Sequence, residues 1–172
     1  MSVALISVLC LDRVGLVSAV ADCLFMAGIN LRDTTFAVYG TGAEFSSVCE
    51  LPDGLTIAEI ENTLTGLPEL AGAEIKVAPV TFDPHPGPQA HVTHRIEVSG
   101  GDQLGLIARF SDIFAQFGAN IVRLDARKLP DDRYVTRFAV SIPPDRADTC
   151  LSAIANTAGS LRLESSVTES TH

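Results

Sequence analysis

The sequence predicts an α+β protein made of two βαββαβ domains in tandem. Three observations lead to this prediction. The chain repeats itself after about 90 residues. Within each copy, short apolar runs of strand length alternate with stretches whose apolar residues recur at helical spacing. A proline-rich segment separates the copies, which places a first domain at residues 1–80, a linker at 81–91 and a second domain at 92–170.

The repeat is clearest around the first predicted helix of each copy. Residues 12–17 (DRVGLV) correspond to residues 102–107 (DQLGLI), and residues 27–31 (AGINL) correspond to residues 117–121 (FGANI). Most of the shared residues are turn formers or helix caps. We therefore infer that the two copies share a backbone geometry, with 47% hydrophobic residues available to build both cores.

Local signals place the elements of the first copy. They are a strand at 3–9, a helix at 14–25, hairpin strands at 30–39 and 44–51, a helix at 57–64 and a strand at 73–80. Gly28 stands where a left-handed residue would end the first helix. Thr56 and Glu59 form a capping-box pattern that opens the second helix.

The second copy predicts the same order of elements. They are a strand at 92–98, a helix at 104–117, hairpin strands at 120–128 and 133–142, a helix opened by residues 143–145 and a strand at 161–167. This order is that of the ferredoxin-like arrangement, an antiparallel sheet with two helices on one face. Since the helices cover only that face, the other face must be solvated or buried elsewhere.

The segment between the copies is dense in proline. Residues 82–89 hold three prolines and Gly87, which excludes a helix or an interior strand. Such a composition predicts an extended linker.

Charge and cysteine content exclude several classes of function. The net charge of −9 disfavours nucleic-acid binding, and the imbalance is concentrated in residues 1–80, which have three bases against ten acids. The four cysteines lack the C-x-x-C spacing of zinc and thioredoxin-like sites. No apolar stretch reaches the roughly 20 residues of a membrane span, and the N-terminus lacks signal-peptide features. We expect a cytoplasmic protein with reduced cysteines, no membrane contact, no metal and no cofactor.

The loop that leads into the first helix of each copy is the candidate binding site. Gly15 and Gly105 are predicted in the first helical turn, where the absence of a side chain lets a ligand approach the backbone. Helix N-terminal amides favour a carboxylate, and Asp12 and Asp102 can pair with an ammonium, so an amino acid offers both groups. Alternatively, the aspartates only cap the helices and the glycines only relieve crowding between helix and sheet.

The pattern of a strand, D-x-x-G-[LV], an amphipathic helix, [AF]-G-x-N-[IL] and a hairpin resembles the ACT domain, an amino-acid-sensing regulatory module. The resemblance spans residues 3–80 and 92–168. A chain of two such domains is similar to the glycine cleavage system transcriptional repressor group and to the N-terminal part of formyltetrahydrofolate deformylases.

This resemblance implies that an amino acid is bound at an interface between two domains, by the loop before the first helix and by the asparagine after it. The implied ligand-binding residues are Asp12, Arg13, Val14, Gly15, Leu16 and Asn30 in the first copy, and Asp102, Gln103, Leu104, Gly105, Leu106 and Asn120 in the second. Alternatively, each asparagine is only a helix-exit residue with a left-handed backbone.

These observations predict an amino-acid-binding regulatory protein with no catalytic residues, a ligand of the glycine or serine class, a regulatory protein partner and a homodimeric assembly. The sequence lacks G-x-S-x-G, H-E-x-x-H and P-loop patterns. Two alternatives stay open. One is a scaffold that binds no ligand. The other is a ferredoxin-like RNA-binding module, because Arg123 and Arg127 share one face of a strand, although the RNP1 signature is missing.

Overall fold

The computed structural model describes residues 2–83, 85 and 87–170, and the chain divides into two compact units, Met1–His85 and Pro86–His172. Pro84 and Pro86 of the predicted linker lie outside the described residues. Residues Pro88–Ala90 form a single 3₁₀ turn, which the proline content had been expected to prevent.

The first unit is an antiparallel four-stranded sheet with two helices on one face. Its elements are β1 (Ser2–Leu11), α1 (Leu16–Met26), β2 (Asn30–Tyr39), β3 (Gly42–Leu51), α2 (Ile57–Thr65), a 3₁₀ turn (Pro68–Leu70) and β4 (Glu74–Pro79). The strand order is β2-β3-β1-β4, and each neighbouring pair is antiparallel.

The second unit repeats this layout. Its elements are β5 (His94–Gly101), α3 (Leu106–Gln116), β6 (Asn120–Lys128), β7 (Arg133–Ser141), a 3₁₀ turn (Pro144–Arg146), α4 (Ala147–Ser160) and β8 (Glu164–Glu169). The strand order is β6-β7-β5-β8. The predicted α+β class and the tandem of two βαββαβ folds are therefore confirmed.

Each core lies between a sheet and its two helices, because alternate strand residues point toward the helices. In β1, the buried residues are Ala4, Ile6, Val8 and Cys10, at the two-residue period of a strand. They pack against the buried stripes of α1 and α2, which recur at helical spacing.

Aromatic rings fill the core of the second unit. Phe138 of β7 lies between two phenylalanines of α3: the ring centroids are 6.2 Å from Phe110 and 5.2 Å from Phe114, both in tilted or edge-on geometry. All three side chains are buried, so they anchor α3 on the sheet.

The face of each sheet turned away from its helices is called its outer face below. In the second sheet this face carries Arg95, Glu97 and Ser99 of β5 beside Val135, Arg137 and Ala139 of β7. Because paired residues of antiparallel strands share a face, the register also places Arg123, Asp125 and Arg127 of β6 there.

The last strand of the second unit begins later than predicted. A strand was expected at 161–167, but β8 spans Glu164–Glu169. Leu161 and Leu163 pack against the core from the turn that ends α4, where Arg162 adopts a left-handed backbone with φ of 58°. Their apolar alternation therefore marks a helix end and not a strand.

The capping box that opens α2 is present as predicted. The Thr56 hydroxyl accepts a hydrogen bond from the Glu59 amide at 3.3 Å, and the Thr56 amide donates to the Glu59 carboxylate at 2.8 Å. The Thr56 hydroxyl also donates to that carboxylate at 2.7 Å. These hydrogen bonds from Thr56 lower the pKa of Glu59 below its usual value.

Removing the cap should destabilise the first unit. We expect Thr56→Ala to lower the free energy of unfolding by about 1 kcal/mol at neutral pH, because the helix loses its N-cap acceptor. The pKa of Glu59 is lowered by folding, so its stabilising contribution is present above the unfolded pKa and is lost as the pH falls through the folded pKa. Urea unfolding across that acidic range should show the Thr56→Ala penalty shrinking, whereas Thr56→Ser should stay close to wild type.

Among the described residues, no helix combines the length and the hydropathy that crossing a membrane requires.

Candidate functional site

A left-handed glycine opens the first helix of the first unit. The loop after β1 ends at Gly15, which is the N-cap of α1, with φ of 88° and ψ of −3°. The Ala19 amide donates to the Gly15 carbonyl at 2.9 Å, the first hydrogen bond of the helix. No side chain caps the helix, so the amides of Val17 and Ser18 have no acceptor within it.

The second unit repeats this geometry. Gly105 is the N-cap of α3, with φ of 79° and ψ of 15°, and again no side chain caps the helix. The Arg109 amide donates to the Gly105 carbonyl at 3.0 Å. The sequence had placed both glycines in the first helical turn, but each lies one residue before its helix. Each of the two helices therefore begins directly after a left-handed glycine.

The left-handed backbone, and not crowding, explains both glycines. A Cβ atom placed on Gly15 or Gly105 would meet no atom within 4 Å beyond those of the adjoining residues, so the alternative of crowding between helix and sheet is wrong. A positive φ in this range disfavours residues that carry a Cβ. The open space also leaves the backbone accessible to a small molecule.

The two aspartates do not cap the helices. Asp12 precedes the glycine by three residues, and its amide donates to the Thr41 carbonyl in the β2–β3 turn at 2.9 Å. The Asp102 carboxylate lies 3.9 Å from the Lys128 ammonium, near the corresponding hairpin of the second unit. Both aspartates are exposed, so the N-cap alternative is wrong and their carboxylates face solvent beside the loop.

Val14 and Leu104 lie in the loops and not on the helices. They were predicted as the first apolar residues of the helical pattern, but α1 and α3 begin two residues later. Both side chains are fully exposed. The same position in each copy therefore exposes an apolar side chain that is not part of the core. Leu16 and Leu106, two residues later, are buried and anchor the helices.

The residue after each aspartate ties the loop to the end of the second helical segment. The Arg13 guanidinium donates to the Pro68 carbonyl at 3.5 Å, just after α2. The Gln103 side-chain amide donates to the Leu161 carbonyl at 3.0 Å, just after α4. These two residues therefore position the loops. Local spacing in the sequence gives no sign of contacts that join residues so far apart along the chain.

The two asparagines begin β2 and β6. The Asn30 side chain donates to the Glu50 carboxylate at 2.9 Å, and the Asn120 side chain donates to the Gln89 carbonyl at 2.8 Å. Neither has a positive φ: that conformation occurs at Gly28 and Gly118, so the helix-exit alternative is wrong for the asparagines.

Within one unit, the asparagine and the glycine-capped helix lie at opposite ends of the sheet. Asn30 pairs with Glu50, which pairs with Val3 near the start of β1, whereas the loop follows Leu11 at the end of β1. Eight residues of strand span about 27 Å. One unit therefore does not bring together the two halves of the site that the sequence implied.

The described residues offer little for nucleophilic or metal chemistry. Burial raises the pKa of the Cys10 and Cys49 thiols, which makes them poor nucleophiles. Over residues 2–83, 85 and 87–170, no group of three histidine, cysteine, aspartate or glutamate side chains is placed to hold a metal ion.

The comparisons with known proteins support the fold, a tandem of two βαββαβ units. No family model matches the sequence, and no curated protein matches it by sequence. Among solved structures, it is similar to an unknown protein from Galdieria sulphuraria, with 20% identity, a TM-score of 0.77 and 99% of each chain covered. It is also similar to a "putative glycine cleavage system transcriptional repressor", with 18% identity, a TM-score of 0.70, and 99% of this chain and 98% of that chain covered. At these identities the likeness concerns the fold.

Proposed function

We propose that this protein is a non-catalytic regulator that binds a small amino acid at its glycine-capped helices. The observation that carries the proposal is the repetition of one geometry: a left-handed glycine, an uncapped helix N-terminus and an exposed loop occur at the same place in both units. Free amides and the positive end of the helix dipole together favour a carboxylate.

The rest of the loop suits the remaining parts of an amino acid. The exposed carboxylates of Asp12 and Asp102 are acceptors for its ammonium group. The exposed side chains of Val14 and Leu104 would cover the bound ligand and lose their contact with water. A ligand of the glycine or serine class is proposed because the similar two-domain structure bears the name of a glycine cleavage system repressor.

A second copy of the domain would complete the site. Because Asn30 and the Gly15 loop lie at opposite ends of one sheet, a ligand that contacts both types of residue needs two copies of the domain. We propose a homodimer in which the asparagine of one chain reaches the loop of another.

The output of binding is proposed to be a protein contact. The acidic character of the first unit suits a basic surface on a partner, and the control of transcription in amino acid metabolism is the proposed setting. The four cysteines are free, which is typical of the cytoplasm, the proposed location.

A screen of the twenty amino acids by thermal shift tests the proposal. A ligand that binds only the folded state adds about 2.7 kcal/mol of stability at a concentration of 100 Kd. We expect glycine or serine to raise the melting temperature in a concentration-dependent manner and to give saturable heats by calorimetry. If no amino acid raises the melting temperature, the proposal is wrong and the scaffold alternative is favoured.

The RNA-binding alternative lacks its stacking surface. The two aromatic residues of β7, Tyr134 and Phe138, pack into the core, and the outer face of β5 and β7 carries no aromatic residue. RNA-recognition sheets of this strand order stack bases on aromatic side chains of the central strands. We therefore do not favour that function.

A further inference from the structure

Two arginines face each other across the outer face of the second sheet. Ala139 of the central strand β7 pairs with Arg95 of β5 on one side and with Arg123 of β6 on the other. Neighbouring strands lie about 4.8 Å apart, so the backbones of the two arginines are about 10 Å from each other, with the small side chain of Ala139 between them. Among the described residues, neither guanidinium has an ion-pair partner.

The next row along the sheet is occupied by a closed ion-pair network. Arg137 of β7 lies between Glu97 of β5 and Asp125 of β6, with nitrogen–oxygen distances of 2.7 Å to Glu97 and 3.8 Å to Asp125. Arg137 therefore offsets one of the two carboxylate charges in this row, and all three side chains line the cavity described next. Arg95 and Arg123 take no part in this ion-pair network.

A cavity lies over these two rows. Its volume is about 370 Å³, and its lining includes Arg95, Arg123, Arg137 and Ala139, with Ser166 and Thr168 of β8 along one side. This volume falls within the range of about 300–1,000 Å³ that is typical of small-molecule sites. All of the lining residues belong to the second unit.

The first unit shows that the fold does not need this arrangement. Offset by the repeat, Arg95 corresponds to Leu5, and Leu5 pairs with Val48 of β3 on the outer face of the first sheet. The same strands thus pair there with aliphatic side chains. The arginine pair is present in the second copy only, in a chain whose net charge is −9.

We propose that this cavity binds the oxyanion group of a small molecule, a carboxylate or a phosphate, between Arg95 and Arg123. The planar guanidinium donates paired hydrogen bonds that match the oxygens of either group. Ala139 leaves room for the anion on the sheet, and the hydroxyls of Ser166 and Thr168 are further donors within reach of the same cavity. This site is separate from the glycine-capped loops and does not depend on the proposed amino acid ligand.

Titration of the full chain with inorganic phosphate and, separately, with malonate tests the inference by nuclear magnetic resonance. We expect saturable shifts of the backbone amides of residues 95, 123 and 139 with at least one probe, and the stronger probe identifies the class of anion. Arg95→Gln and Arg123→Gln should each weaken binding about tenfold or more, since each removes a charged hydrogen-bond donor.

Arg127→Gln is the matched control, because Arg127 lies on the same strand and face, opposite Val135, but does not line the cavity. It should bind as wild type does. All three arginines are exposed, and Arg95→Lys provides a second variant that keeps the charge and loses the fork. Absence of saturable shifts, shifts centred on Gly15 or Gly105, or an equal loss in Arg127→Gln would overturn the site.

Discussion

Gly15→Ala should weaken amino acid binding about tenfold or more and lower the free energy of unfolding of the first unit by about 1–2 kcal/mol. The stability loss follows from the left-handed backbone, with φ of 88°. A steric clash does not contribute, since the added methyl group would meet no atom within 4 Å beyond the adjoining residues. The affinity loss follows because relaxation of that backbone would turn the amides of the first helical turn away from the proposed site of the ligand carboxylate. Calorimetry and urea unfolding measure the two effects separately.

Gly40→Ala is the matched control for this prediction. Gly40 also has a left-handed backbone, with φ of 63°, and open space around its Cβ position, but it lies in the β2–β3 turn and not at the N-cap of a helix. It should cost a similar amount of stability and leave affinity unchanged. Gly105 and Gly118 offer the same comparison in the second unit. If Gly15→Ala and Gly105→Ala bind as tightly as wild type, the glycine-capped loops are not the ligand site.

The second large effect is expected in the core of the second unit. Phe138→Ala should lower the free energy of unfolding of that unit by about 3–5 kcal/mol, because it removes a buried ring that packs against Phe110 and Phe114. A loss of this size approaches the whole stability of a small domain. Chemical denaturation followed by hydrogen exchange of individual peptides would measure it.

The two cores share no residue, so the damage should stay local. Peptides of residues 94–169 should lose protection in Phe138→Ala, while peptides of β1 and β3 keep theirs. Leu124→Ala is the control: Leu124 pairs with Phe138 in the register but is 42% exposed, and its truncation should cost much less. Equal loss of protection in both units would show that they do not unfold separately.

The fold could be predicted from the sequence because its signals are local. The capping box of Thr56 and Glu59 and the left-handed Gly28 each act within a few residues of themselves. The hairpin strands β2 and β6 begin and end where the sequence placed them. The wrong predictions also came from local patterns. Val14 continues the apolar spacing of α1 although it lies in the loop before that helix. Leu161 alternates like a residue of β8 although it lies in the turn after α4.

The outer face of the second sheet could not be predicted in the same way. Arg123 and Arg127 were placed on one face of a strand, but Arg95 lies on another strand, and only the register across β7 brings it opposite Arg123. That register includes an irregularity between Ile121 and Arg123, which shifts every later pair. For the candidate site, the sequence indicated a loop before the first helix of each copy, but it placed Val14, Leu104 and the two glycines inside those helices. The hydrogen bonds of Arg13 and Gln103 join residues distant in sequence, so no local pattern could predict them.

The different outer faces of the two sheets have a consequence for how such a chain can evolve. A homodimer of a single domain of this fold must present identical surfaces, so any mutation appears on both at once. Here duplication within one polypeptide separates them: Leu5 and Val48 can change without altering Arg95 and Ala139. Covalent linkage also fixes their stoichiometry at one to one, so two chemically distinct inputs can be inherited, expressed and degraded as one molecule.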